Sequence, residues 1–142
     1  MFDLLIEGLT NYRAEVATLP LGVYIWMWTM RTVLIAGGLI FIGTRAGRVV
    51  FSVMVLNILG LWYGKGIWPD LPLGLLGTGL HLILWVPMGI YLISYVRQTP
   101  RAPDASLYRR LSYPWAWAAL GTIGISLIFD VRELSGLLLG WG

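Results

Sequence analysis

The chain has no cysteine. Thiol redox chemistry, disulfide staples and cysteine-built zinc or iron–sulfur centres are therefore excluded. Histidine is nearly as scarce: His81 is the only one, too few for a multi-histidine metal site within one chain. Charge is scarce as well. Only 12% of the 142 residues are charged, against roughly a quarter in a soluble domain. A chain this poor in charge, 58% hydrophobic and with a mean hydropathy of +0.76, has too little polar surface to cover itself in water. No nucleophile constellation, carboxylate pair or phosphate-binding loop is present, so an enzyme is not expected. The first ten residues, MFDLLIEGLT, carry acids where a secretory signal would be basic, and no cleavable leader is expected.

What is present is four long apolar runs, the pattern of membrane spans. The fold expected is all-α: one polytopic membrane domain over 1–142, with four transmembrane helices and short interfacial segments at both ends. The spans are placed at about 21–42, 49–63, 73–96 and 114–133. Residues 97–113 form a loop and 134–142 an interfacial tail. In 1–18, Phe2, Leu5, Ile6 and Leu9 follow helical spacing while Asp3, Glu7 and Thr10 face away. That is an amphipathic helix, lying at the membrane interface or on the protein's own loops. Pro87 falls inside the third span and predicts a kink.

Arg45 and Arg48 lie in the first short loop, and Arg97, Arg101, Arg109 and Arg110 in the loop after the third span. The positive-inside rule puts these loops in the cytoplasm and both termini on the periplasmic side of a bacterial inner membrane. Trp26, Trp28, Trp62, Tyr63 and Trp68 fall at the outer boundary, and Tyr95, Tyr108, Tyr113, Trp115 and Trp117 at the inner one. Trp85 belongs to neither belt and is placed deep in the third span. The same topology explains the basic balance, with a pI near 9.5, so nucleic acid is not expected as a partner.

The candidate functional residues are polar groups inside the spans: Arg31, Asn57, His81 and Asp130. An intramembrane charge costs enough to mark a functional site or a buried partner. Arg31 is expected about one turn below the outer aromatic belt, paired with Asp130. On the fourth span Ala118, Thr122, Ser126 and Asp130 recur every four residues as a helix-packing stripe. On the third, Gly74, Gly77, Thr78, His81, Trp85 and Met88 share one broad face. Gly74, Gly77 and Thr78 suit close packing, or leave room beside His81 for a haem or chlorophyll-type pigment, with Met88 or another chain completing the coordination. Quinone or bound lipid are further candidates for the aromatic and glycine-rich interior. Asn57, aligned with Gly60 and Gly64, needs a hydrogen-bond partner at lipid depth.

Three readings of function follow. The first is a non-catalytic accessory or structural subunit of a larger respiratory or photosynthetic membrane complex, with other membrane subunits as partners. The second is a small homo-oligomeric transporter or channel with Arg31 near an anion path. The third is a haem- or pigment-binding subunit using His81.

Overall fold

The computed structural model describes residues 2–98 and 106–139, without the side chains of residue 98 and of 137–139. The described residues form helices and no strand. A short helix, α1 (Phe2–Val16), is followed by α2 (Leu21–Ile40), α3 (Arg45–Ile67), α4 (Leu73–Arg97) and α5 (Leu107–Leu139). All four later helices are long and apolar enough to span a membrane. The four long helices pack side by side in chain order and α5 closes the ring against α2. Outward-facing residues such as Leu21, Ile25, Leu39, Leu56, Ile83, Ile90, Ile128 and Val131 are exposed and apolar. Such a surface suits lipid and would be a large apolar patch in water.

Three boundaries differ from those read in the sequence. The second span gains four residues at each end, because the Thr44 hydroxyl caps α3 by accepting from the Gly47 N–H at 3.0 Å. Residues 107–113 are the first turns of α5 and not loop, with Pro114 accommodated inside the helix. Beyond 133, the described tail continues the same helix to Leu139 instead of forming a separate segment. At 33 residues α5 is about 50 Å long, so it overhangs a hydrocarbon core of about 30 Å. Residues 99–105, including Arg101, and 140–142 lie outside the described residues.

The bundle has two unlike halves. Toward the arginine-rich loops it is dry and close-packed. Leu34, Val50, Trp85, Met88, Leu92, Val96, Ala116, Ala119 and Ile123 form one buried cluster there. Toward the other end the helices enclose a polar hollow, and α1 lies across it. Helix α1 packs on α3 through Gly8 and Tyr12 and leaves Phe2 and Ile6 outward. A Cβ at Gly8 would stand 1.8 Å from the Trp62 carbonyl oxygen, so only glycine allows this crossing. The helix is thus docked on its own protein, with Leu5 and Leu9 half-buried and Phe2 and Ile6 exposed.

Two helices contain a π-helical turn, Thr32–Ala36 in α2 and His81–Trp85 in α4. In α4 the turn precedes Pro87, whose ring nitrogen cannot bond the Ile83 carbonyl, and the altered hydrogen-bond ladder absorbs the loss. In α2 the Trp115 indole donates to the Val33 carbonyl at 2.9 Å, a side chain inserted into the ladder. Gly37 makes room for it, since a Cβ there would lie 1.9 Å from the Trp115 Nε1. Trp115, read as a belt residue, is therefore turned into the protein.

Candidate functional site: a polar cavity beneath helix α1

The hollow is a cavity of about 200 Å³ to which all five helices contribute. Arg31, Asn57, Thr78, His81 and Asp130 form its polar wall, while Met27, Met30, Met54, Ile58 and Leu61 are among its apolar lining. Tyr12 and Glu15 of α1 roof it. All four polar residues singled out in the spans therefore meet in one place.

Arg31 is the tenth residue after Leu21, about 15 Å along the axis. It therefore stands halfway along a helix long enough to span a membrane. The expected pairing with Asp130 is not formed. Among the described residues no carboxylate comes within ion-pair range of Arg31. Its Nη2 donates instead to the Tyr12 hydroxyl. The guanidinium carbon lies 5.5 Å from the Tyr12 ring centre and 5.8 Å from that of Trp28. Aromatic faces stabilise a cation but do not neutralise it.

Asp130 is committed elsewhere. Its Oδ2 lies 2.8 Å from His81 Nδ1, and its Oδ1 accepts from the Thr78 hydroxyl at 3.2 Å. His81 also stacks on Trp85, with ring centres 3.9 Å apart. When the carboxylate is ionised and the imidazole neutral, the carboxylate can only accept, so Nδ1 carries the hydrogen and Nε2 keeps its lone pair. Nε2 has no hydrogen-bond partner among the described residues. Thr78, read as a packing residue, thus orients the acid, the acid orients the histidine, and π-helical turns begin at His81 and just after Arg31. Such turns recur at functional sites.

Asn57 is 3% exposed, and its Oδ1 is buried without a partner among the described residues. An interhelical hydrogen bond expected for it is absent there. The Trp85 Nε1 is likewise buried and unpartnered. A lost partner for one such group costs about 1–3 kcal/mol.

Sequence reading missed the roof and mouth. Lys65 is 4% exposed and its ammonium meets three acceptors. These are the Pro69 and Leu71 carbonyls at 2.6 and 2.8 Å and Glu15 Oε2 at 2.7 Å. Glu15 Oε1 also accepts from the Leu73 N–H at 2.6 Å. Burial pushes the Glu15 carboxyl up, but Lys65 and the Leu73 amide outweigh it and hold it below the ordinary glutamate value. Nothing in the spacing of Glu15, Lys65 and Leu73 signals the contacts of Glu15 with Lys65 and Leu73, which join residues 50 or more apart.

The small residues divide. Thr122 and Ser126 are buried, and Ser126 accepts from the Trp26 indole at 3.3 Å. Gly74 packs against Glu133, whose Oε1 would lie 2.3 Å from a Cβ there. Gly77 has nothing within 4 Å of that position and lines the cavity, and Ala118 is exposed. The cavity is smaller than the roughly 300–1,000 Å³ of ordinary ligand pockets. It has no room for a haem or chlorophyll-type macrocycle. Met88, the second ligand considered for His81, sits in the dry core. A quinone headgroup approaches the available volume but brings no anionic group to pair with the Arg31 guanidinium. Scans of family models, of curated proteins and of solved structures return no match to this chain.

Proposed function

We propose that this chain is a small transporter or channel unit of the bacterial inner membrane that binds a small anion in the cavity beneath α1. The observation carrying this reading is a guanidinium, halfway along a helix long enough to span a membrane, that lines the hollow and has no carboxylate within ion-pair range among the described residues. An intramembrane charge of this kind marks an ion or substrate pathway. The site lies within one chain, so a homo-oligomer is not needed to build it. The arginine bias of the loops supports termini on the periplasmic side, with the cavity mouth facing that compartment.

The test is thermal unfolding of the protein in lipid nanodiscs with chloride, phosphate or acetate. An anion at a hundred times its Kd adds about 2.7 kcal/mol of stability. We expect at least one of these anions to raise the melting temperature of the wild type and none to raise that of Arg31→Gln. Equal shifts in both, or none in either, would sink the reading.

A second reading, the accessory subunit of a larger respiratory or photosynthetic complex, draws on α5. Ala118, Gly121 and Gly124 are exposed there, and a Cβ at Gly121 or Gly124 meets nothing within 4 Å. Small residues facing outward favour a close helix partner from another chain. The two readings are compatible, since an anion-binding unit can sit inside an assembly.

A further inference from the structure

The charges around the cavity sum to a specific requirement. From α1 come Tyr12, whose hydroxyl oxygen accepts from Arg31, and Glu15, which is cancelled by Lys65 of α3. From α2 comes Arg31, from α4 His81, and from α5 Asp130 and Glu133. Glu133 is exposed at the Gly74 edge, where solvent screens it. The deep charges are then one cation, Arg31, and one anion, Asp130, with His81 between neutral and cationic. With His81 neutral the interior sums to zero. A monoanion entering alone would leave one uncompensated negative charge in surroundings of low dielectric, which is strongly disfavoured. One proton taken up at the same time restores neutrality.

The geometry also says where that proton goes. Asp130 holds His81 through Nδ1 and Thr78 holds Asp130, so the imidazole is oriented and its cationic form has a carboxylate beside it. Nε2 is the basic atom left open. The apolar wall of Met27, Met30, Met54, Ile58 and Leu61 selects among anions, because a halide or phosphate has no part to place against it. A planar carboxylate matches the guanidinium fork, and a short hydrocarbon tail matches the thioethers and methyls.

Building on the anion reading above, we infer that the ligand is a short-chain monocarboxylate taken up together with one proton, which is held on Nε2 of His81. In the step, a proton from solvent forms the Nε2–H bond and the carboxylate enters as the anion. No other bond changes. Asp130 acts as a positioning residue for the imidazole.

The experiment is isothermal titration calorimetry of the full chain in nanodiscs with acetate and propionate, with chloride and phosphate as comparisons. Runs at about pH 7.5, where free imidazole is mostly neutral, in two buffers of different ionisation enthalpy give the protons taken up per ligand. We expect about one proton per carboxylate, propionate binding more tightly than acetate, and roughly tenfold weaker binding for each unit rise in pH. His81→Gln should bind propionate more weakly, with no proton uptake and no pH dependence. Asp130→Asn should retain binding with reduced proton uptake. Carboxylate binding to the wild type with no protons taken up overturns the coupling and leaves the anion reading standing. Binding of chloride or phosphate without the carboxylates overturns the ligand class alone. No anion binding at all overturns the anion reading and this inference together. Because the proton count is made on the wild type, it decides the matter even if a variant fails to fold.

Discussion

Lys65 shows how one residue can set the geometry of a site it does not line. Its three ammonium hydrogens are matched by three acceptors, which join the α3–α4 turn to α1. Lys65→Met leaves two carbonyls and the Glu15 carboxylate without that donor. It should lower stability by about 1–3 kcal/mol, measured by thermal or denaturant unfolding in detergent. The acid-side behaviour follows from Glu15. Its carboxyl is held below the ordinary value, so its link to Lys65 is fully present above the range of a free glutamate. That contribution is lost as pH falls through the depressed value in the folded protein. Glu15→Gln should therefore destabilise the protein at neutral pH and flatten the acid limb of its melting curve. An acid limb unchanged by the substitution would show that the pair contributes nothing.

Among the elements, α2 and α5 are locked by a contact that depends on an absent side chain. The Trp115 indole reaches the Val33 carbonyl only because Gly37 has no Cβ. Gly37→Ala should displace the ring, leave a half-buried carbonyl unpaired at the π-helical turn and cost about 1–3 kcal/mol. Gly121→Ala, where nothing lies within 4 Å, should change stability little. Comparable losses at both positions would show that glycine flexibility and not the indole contact governs stability. Helix α1 depends on Gly8 in the same way. Gly8→Val pushes a side chain into the Trp62 carbonyl, so α1 should lift and the amides of residues 2–16 should exchange faster with deuterium. Protection equal to the wild type would mean that α1 is held mainly by Glu15 and Lys65.

At the scale of the molecule, the dry half anchors the bundle and the hollow half carries the proposed anion site. This asymmetry places the polar groups away from the arginine-rich loops. Cysteines introduced at the exposed positions Arg48 and Asp70 test the orientation. An impermeant reagent added from the periplasm should label the one at Asp70 and spare the one at Arg48, and the opposite pattern would invert the topology. The exposed Ala118–Gly121–Gly124 surface predicts more than one chain per particle in native mass spectrometry from mild detergent. Gly121→Leu should reduce that particle to smaller species. A lone 15.9 kDa wild-type chain, stable across detergents, would remove the accessory-subunit reading.

The sequence by itself determined the class, the number of helices and which polar residues are out of place. These follow from local properties: run length against bilayer thickness, scarcity of charge, and the cost of a charge within an apolar run. It also placed Trp85 in the interior, where it is fully buried. Helix ends were less legible, because Thr44 capping and the tolerated Pro114 depend on single contacts. Partner choice was decided only by the tertiary structure. Arg31 and Asp130 have opposite charge and both line the cavity, yet Asp130 is held by His81 and Thr78 on α4 and Arg31 by Tyr12 on α1. Pairing between helices depends on rotation about each axis and on side-chain reach. Two π-helical turns alter that rotation without a pattern in residue type that fixes it. The cavity has the same origin. It exists because α1 roofs the bundle at Gly8 and Lys65 ties that roof down, contacts between segments fifty or more residues apart that no local periodicity records.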